Sequence, residues 1–232
     1  MFFFSFSGTV VFSNSSQWNI SLKLVRNYSA AAYTTRYADY EQIQVTAPYD
    51  HILHVELHRP EKRNAINRDM FREITTCFSE IANDKQCRAV VISGSGKMFC
   101  AGIDYTDLSQ TMSAVTSEES QRDDIASRGK FIRHMIIQLQ NSFNSIVKCQ
   151  KPVISAIHSG CIGAGVDLIT ATDIRYASKD AFFSIREVGI GMAADLGTLQ
   201  RLPKIVGNDS LVRELAYTGR DLPATEAKEV FF

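Results

Sequence analysis

Two turns of this 232-residue chain contain glycine and could each present a main-chain N–H group to an oxyanion. The first spans residues 101–104 and the second spans residues 163–167, each between a predicted strand and a predicted helix. Such turns can aim N–H groups into one crevice beyond the strand ends, where open α/β sheets bind ligands. Two convergent N–H groups would stabilise the enolate of a thioester. The spacing alone leaves another interpretation open, because glycine also simply permits a tight turn.

Two related patterns fail as nucleotide-binding motifs. Gly94-Ser95-Gly96-Lys97 is not a P-loop, because Met98 stands where that motif has Ser or Thr. Gly163-Ala164-Gly165 could begin a dinucleotide fingerprint, but Leu168 occupies the third glycine position. Neither pattern therefore predicts a nucleotide phosphate site.

Composition excludes several further classes of protein. The chain holds 25 Lys and Arg against 25 Asp and Glu, so its bulk charge does not indicate a nucleic-acid partner. No uncharged apolar run reaches the roughly 18 residues that a membrane-spanning helix needs. The five cysteines include no CxxC pair and no zinc spacing, so neither a metal site nor a disulfide framework is predicted.

The elements that must position the two turns alternate between strand and helix, as in βαβ units. Asn67 is the expected N-cap of an amphipathic helix. Strands are predicted over residues 52–57, 89–92, 153–157, 174–177 and 182–185, and further helices over residues 132–147, 166–171 and 196–202. Residues 89–92 are wholly apolar, as in a strand buried on both faces. The polar residues 105–122 lack periodicity and are expected to form a mobile loop.

The first 38 residues have the composition of an organelle transit peptide. They hold three bases, no acid and seven Ser. Arg26, three residues before Ser29, resembles the arginine of a mitochondrial processing site. We therefore predict import into the mitochondrial matrix, with one α/β domain over residues 42–232. Two alternatives stay open: a secretory signal built on the apolar residues 2–12, or an extension with no address.

Longer stretches of the sequence resemble the crotonase (enoyl-CoA hydratase/isomerase) superfamily. They are HRPEKRNAIN from residue 58, SGSGKMFCAGID from residue 93, QKPVISAIHSGCIGAGVDL from residue 150 and DIRYASKDAFFSIREVGIGMAADLGTLQRLP from residue 173. The resemblance covers about residues 50–225 and implies an α/β spiral of ββα and βαβ units that assembles into trimers, often paired as hexamers. It also implies an acyl-CoA substrate and no cofactor beyond the coenzyme A that the substrate carries.

The resemblance assigns roles to the two turns. The main-chain N–H groups of Ile103 and Ala164 are the expected oxyanion hole. The expected substrate-binding residues are Ala101, Gly102, Ile103, Asp104, Tyr105, Ala164 and Gly165. The positions where family members bind the coenzyme A nucleotide are Lys62, Arg63 and Ala65.

Three acids extend the resemblance to one branch of the family. Asp167, Glu187 and Asp195 match the set of its dienoyl-CoA isomerases, whereas hydratases carry two Glu and usually Gly at the third position. That branch removes a proton from C2 of a 3,5-dienoyl thioester and delivers one to C6, which gives the 2,4-diene. The resemblance implies that Glu187 is the base and Asp195 the acid, with Asp167 tuning or orienting them.

Each acid also has a structural alternative. Asp195 could only cap the helix predicted at residue 196, Glu187 could be a solvated loop acid, and Asp167 could be a buried acid paired with an arginine. Asp104 is expected to orient its own turn. A neutral Asp195 would need a raised pKa, which an apolar acyl pocket could provide. The residues expected to contribute to that pocket are Phe182, Phe183, Ile190 and Met192.

The C-terminal end departs from the resemblance. Family members continue through further helices that cover the active site and build the trimer, so a crotonase-like domain without those helices is expected. No Ser-Lys-Leu-type peroxisomal address ends the sequence. The main hypothesis is a mitochondrial isomerase of 3,5-dienoyl-CoA in fatty-acid β-oxidation. The alternatives are a 2-enoyl-CoA hydratase and a non-catalytic subunit of this fold.

Overall fold

The computed structural model describes residue 37 and residues 39–116 and 124–230. The transit peptide predicted over residues 1–38 therefore lies, except for Tyr37, outside the described residues. The predicted domain boundaries stay predictions.

A five-stranded sheet forms the centre of the fold. Its strands are β1 (Ile43–Tyr49), β2 (Ile52–Leu57), β3 (Ala89–Gly94), β4 (Val153–Ile157) and β6 (Ile174–Ala177), in the order β1-β2-β3-β4-β6. The β1–β2 pair is antiparallel and the other neighbours are parallel. A second, three-stranded sheet contains β5 (Gly160–Ile162), β7 (Phe182–Ser184) and β8 (Leu222–Pro223), in the order β5-β7-β8.

Burial of the central strands alternates along each strand. On β3, Val90 and Ile92 are buried while Val91 between them is only half-buried, and β2 shows the same alternation around His54. One face of these strands is therefore buried in the core, while the other face is only partly covered. The expectation that residues 89–92 are buried on both faces is therefore wrong.

Helices follow most of the strands. The α-helices of the described residues are α1 (Arg68–Asn83), α2 (Tyr105–Thr116), α3 (Ile125–Val147), α4 (Ala164–Thr170), α5 (Thr198–Val206), α6 (Asp209–Thr218) and α7 (Ala224–Val230). Among the described residues, 3-10 helices cover Pro60–Lys62 and Arg186–Ile190. The predicted N-cap of α1 is confirmed, because the Asn67 side chain accepts a hydrogen bond from the Met70 N–H at 2.9 Å. Met70, Ile74 and Phe78 of α1 enter the core at helical spacing.

Helix α2 contradicts the loop predicted from residue 105. Asp104 Oδ1 accepts a hydrogen bond from the Thr106 N–H at 3.1 Å, which caps the start of the helix. Asp107 Oδ2 accepts from the Arg68 N–H at 2.8 Å and so ties α2 to the start of α1. Local capping and this tertiary contact hold a helix whose polar sequence shows little apolar periodicity.

The remaining differences concern element ends. Helix α3 begins at Ile125 rather than at residue 132, with the Asp124 side chain as its cap. Helix α4 begins at Ala164 rather than at residue 166, and α5 begins at Thr198 rather than at residue 196. Over the described ranges, no helix is long and apolar enough to cross a membrane.

Candidate active site

A cavity of about 290 Å³ lies between the two glycine-bearing turns. Its walls come from residues 101–105, from the residues around the start of α4, from the 3-10 helix Arg186–Ile190 and from the turn before α5. The predicted site residues on its lining are Ala101, Gly102, Ile103, Tyr105, Ala164, Asp167, Glu187 and Asp195. The fold thus brings the predicted oxyanion turns and all three acids to one cavity.

A short main-chain ladder holds the two turns together. The Cys100 N–H donates to Gly160 O at 3.1 Å, and the Ile162 N–H donates to Cys100 O at 3.0 Å. Gly102, with φ of 101°, lies directly against the second turn. A Cβ at Gly102 would stand 3.2 Å from Ile162 O, so both backbone conformation and space favour glycine there. Tight packing of the two turns is therefore built into the sequence.

The main-chain N–H groups of Ile103 and Ala164 have no hydrogen-bond acceptor among the residues that the structure describes. Their neighbours do: the Asp104 N–H donates to Ile66 O at 2.9 Å, and the Gly163 N–H donates to Ser184 O at 2.9 Å. Ala164 is the first residue of α4, where a helix leaves its N–H groups unsatisfied. Both residues line the cavity in which the predicted oxyanion would lie.

Asp167 on α4 is the most deeply buried of the three acids, with 1% of its surface exposed. Its Oδ1 accepts a hydrogen bond from the Thr198 N–H at 2.6 Å, while Oδ2 has no partner within the described part of the chain. Burial raises the pKa of Asp167 to about 6, against the opposing effects of the Thr198 hydrogen bond and the Arg201 charge. Asp167 is thus buried, as the structural alternative expected. That alternative also paired the acid with an arginine, but Arg201 donates to the main-chain oxygen of Asp167.

Glu187 extends from the 3-10 helix toward Gly163. A Cβ at Gly163 would lie 3.3 Å from Glu187 Oε1, and Oε2 is buried with no partner in the described residues. Burial, followed by the negative charges of Asp167 and Asp195, raises the pKa of Glu187 to about 7. A carboxyl with this pKa can accept a proton at neutral pH, and the interpretation of Glu187 as a solvated loop acid is wrong.

Asp195 lies in the turn before α5 and is half-buried. Its main-chain oxygen accepts a hydrogen bond from Gln140 Nε2 of α3 at 2.7 Å. Burial raises the pKa of its side chain. The N-cap position of α5 belongs to Gly197, so the alternative in which Asp195 serves only as that cap is wrong.

Four residues predicted for the substrate site or its acyl pocket do not line the cavity. Asp104 forms an ion pair with Arg59 at 3.0 Å and so orients its turn, as expected. Gly165 packs on Cys100, where a Cβ would stand 2.9 Å from the cysteine Cβ. Phe182 and Phe183 belong to β7, which lies between β5 and β8. The expectation that these two aromatic residues contribute to an acyl pocket is wrong, whereas Ile190 and Met192 do line the cavity.

The predicted coenzyme A segment runs beside the first turn. The Ala101 N–H donates to Arg63 O at 3.0 Å, and the Lys62 and Arg63 side chains are exposed. Asn64, which sequence reasoning missed, is fully buried and its Nδ2 donates to Ser95 O at 2.8 Å. An asparagine that directly follows three charged residues gave no signal that it would be buried.

Comparison with known proteins identifies the family. The profile described as enoyl-CoA hydratase/isomerase matches residues 48–230. The chain belongs to the enoyl-CoA hydratase/isomerase family. The predicted crotonase-like α/β fold is confirmed by a crystal structure of a putative enoyl-CoA hydratase from Streptomyces coelicolor A3(2), with a TM-score of 0.71 and 27% identity over 83% of this chain and 66% of that chain.

Curated relatives within this family share more of the sequence. A Rattus norvegicus protein named mitochondrial Delta(3,5)-Delta(2,4)-dienoyl-CoA isomerase is 54% identical over 189 residues, which are 82% of this chain and 56% of the rat protein. An Arabidopsis thaliana protein named peroxisomal Delta(3,5)-Delta(2,4)-dienoyl-CoA isomerase is 44% identical over 77% of this chain and 63% of its own length. The chain thus spans little more than half the length of the rat relative.

Two further residues contact the acids of this family member and were not predicted. Arg201 donates to the main chain at Asp167 and Leu196, and Gln140 donates to the main chain at Asp195. The accepting atoms of Asp167, Leu196 and Asp195 are main-chain carbonyl oxygens. Every residue has such an oxygen, so no sequence pattern predicts these contacts.

Proposed function

We propose that this chain isomerises 3,5-dienoyl-CoA to 2,4-dienoyl-CoA thioesters in fatty-acid β-oxidation. The observation that carries the proposal is the set of three acids around one cavity together with two unengaged main-chain N–H groups. Curated relatives more than 50% identical to the chain are named for this isomerisation, which supports the same assignment.

The proposed reaction begins with the thioester oxygen between the N–H groups of Ile103 and Ala164. Glu187 removes a proton from C2, and the resulting negative charge spreads from the oxygen through both double bonds. The two N–H groups stabilise that charge where it develops. A pKa of about 7 suits Glu187 to this step, because such a base is ionised in part at neutral pH and still holds a proton well.

The proton at the far end of the diene comes from Asp195 in this proposal. Burial favours its neutral form, which can donate to C6. One proton leaves C2 and one arrives at C6, so the thioester is neither oxidised nor reduced and the proposed reaction requires no cofactor. Asp167 raises the pKa of Glu187 through its charge.

The coenzyme A site, the oligomeric state and the cellular location are proposals as well. Lys62, Arg63 and Ala65 would bind the nucleotide part of coenzyme A, as their place beside Ala101 favours. A homo-oligomer, trimeric or hexameric, and a location in the mitochondrial matrix complete the proposal. N-terminal sequencing of protein recovered from cells tests the location: a start near Ser29 supports import, and an intact Met1 contradicts cleavage.

The direct test measures turnover by the purified 232-residue protein. A 3,5-dienoyl-CoA is supplied, and the conjugated 2,4-diene is followed by its absorbance. Formation of the 2,4-diene that disappears in Glu187→Gln supports the proposal. Hydration of a 2-enoyl-CoA without any dienoyl isomerisation favours the hydratase alternative, and an absence of both reactions favours the non-catalytic one.

A further inference from the structure

Arg201 on α5 binds the main chain of two segments that carry acids, namely α4 with Asp167 and the turn with Asp195. Its Nη2 donates to Asp167 O at 3.1 Å and to Leu196 O at 3.0 Å. Its Nε donates to Thr170 Oγ1 at 3.2 Å. Because Leu196 directly follows Asp195, this one side chain ties the turn that carries Asp195 to the helix that carries Asp167.

The chain between Asp195 and α5 is shaped around the guanidinium group. Gly197 has φ of 129°, a conformation that favours glycine. A Cβ at this position would overlap the guanidinium of Arg201. The close approach of Arg201 to the turn therefore depends on a residue without a side chain. The planar guanidinium group of arginine, in turn, can bind two carbonyl oxygens at once.

We propose that Arg201 is a positioning residue: it fixes the turn of Asp195 against α4 and holds a positive charge behind Asp167. The reaction that it serves rests on the proposed function, whereas the contacts and the charge do not. A half-buried cation acts strongly on its neighbours, because little water screens it.

The groups around Asp167 make the role of this charge measurable. Burial raises the pKa of Asp167 and the charge of Arg201 lowers it, while the facing Asp195 raises it. The thiols of Cys100 and Cys161 also face Asp167, but burial raises their pKa values, so they stay protonated.

The charge of Asp167 links the titrations of the two carboxyls. The pKa of Asp167 lies at about 6 and that of Glu187, which faces both Asp167 and Asp195, at about 7. The charge of ionised Asp167 raises the pKa of Glu187. Loss of the Arg201 charge should therefore raise the pKa of Asp167 and lower that of Glu187.

The experiment compares Arg201→Gln, Arg201→Lys and wild type by carbon-13 NMR titration of labelled Asp and Glu carboxyls in the resting protein. Asp167→Asn and Glu187→Gln assign the two signals. In Arg201→Gln we expect the pKa of Asp167 to rise by about 1 or more and that of Glu187 to fall. Lysine keeps the charge but not the planar guanidinium group, so Arg201→Lys should leave the pKa of Asp167 close to that of wild type while kcat for the dienoyl-CoA falls about tenfold to a hundredfold.

Arg175→Gln is the matched control. Arg175 is also half-buried and donates to a main-chain oxygen, Thr172 O at 2.8 Å, but the acid that it faces is Asp173. This variant should leave the Asp167 and Glu187 titrations unchanged, whatever its effect on stability.

Several outcomes overturn the inference. If the pKa of Asp167 in folded Arg201→Gln equals that of wild type, the Arg201 charge does not act on Asp167 and the inference is wrong. If the glutamine variant does not fold, Arg201→Lys decides, and an Asp167 pKa in that variant raised by about 1 or more overturns the role. A wild-type protein that turns over no dienoyl-CoA counts against the proposed function alone, because the titration requires no turnover.

Discussion

The carboxylate of Asp167 on α4 accepts the N–H of Thr198, the first residue of α5, at 2.6 Å across 31 residues of chain. The N-cap position of α5 is occupied by Gly197, which has no side chain to satisfy the N–H groups of the first turn. Asp167 supplies the missing acceptor. One oxygen of this acid thus holds a helix in place, while the other is directed to no partner among the described residues.

Removal of this acceptor should destabilise the protein. At pH 5, below the Asp167 pKa of about 6, we expect Asp167→Ala to lower the free energy of unfolding by about 0.5 to 2 kcal/mol, because the Thr198 N–H loses its cap. Asp167→Asn keeps an oxygen acceptor and should lose much less. Denaturant unfolding measures both values.

Asn67→Ala provides the comparison for that prediction. Asn67 caps α1 through a hydrogen bond of 2.9 Å and lies outside the cavity, so its loss reports the cost of an ordinary cap in this protein. Equal unfolding free energies for Asp167→Ala and Asp167→Asn would contradict the capping role of Asp167.

The raised pKa of Glu187 predicts how stability depends on pH. The folded protein holds this proton up to about pH 7, whereas the ordinary carboxyl pKa is 4.5. Stability from this group is therefore full below about pH 4.5 and is lost as the pH rises through 7, by at most about 3 kcal/mol. Glu187→Gln cannot ionise and should escape this loss, so its stability relative to wild type should increase from pH 5 to pH 8.

Glu226 offers a control of opposite sign. Its hydrogen bonds to Arg220 lower its pKa, so its contribution to stability is present above its ordinary pKa and is lost as the pH falls. Glu226→Gln should therefore differ from wild type least at acid pH. Chemical denaturation at several pH values tests both variants, and a constant difference between wild type and Glu187→Gln would refute the raised pKa.

Local sequence signals predicted local features well. The cap at Asn67 and the spacing of Met70, Ile74 and Phe78 fixed the start and buried face of α1, because both depend on residues within two turns. Helix α2 escaped prediction, since a contact with Arg68, far away in sequence, helps to hold it. The cap at Thr198 could not be predicted, because a main-chain N–H gives no pattern and its acceptor is 31 residues away.

A proline at position 164 removes the predicted oxyanion donor. Ala164 is the first residue of α4, the position where a helix accepts proline, and proline lacks the N–H. We expect Ala164→Pro to lower kcat for the dienoyl-CoA about 100- to 1,000-fold. Ala164→Gly keeps the N–H and should stay within about tenfold of wild type.

Asp209→Pro is the control for the proline variant. Asp209 is the first residue of α6 and does not line the cavity, so the same substitution at the same helical position should leave kcat near the wild-type value. A folded Ala164→Pro protein with wild-type turnover would remove this N–H from the mechanism.

Asp195 separates an isomerase from a hydratase. A hydratase adds water across C2 and C3 and needs no acid near C6, whereas a dienoyl isomerase must protonate C6. Asp195→Asn keeps the size of the side chain and cannot deliver a proton, and it leaves the cap of α5 intact because that position belongs to Gly197. We expect dienoyl isomerisation to fall about 100- to 10,000-fold, with little change in melting temperature.

Proton exchange at C2 shows which step each acid serves. In deuterated water Glu187→Gln should stop exchange at C2, because no base removes the proton. Asp195→Asn should largely spare it, since abstraction at C2 precedes delivery at C6. Asp69→Asn is the control, as Asp69 is exposed and paired with Arg72 at 3.0 Å outside the cavity lining. If Asp195→Asn isomerises 3,5-dienoyl-CoA as fast as wild type, another group protonates C6 and the acid role of Asp195 is wrong.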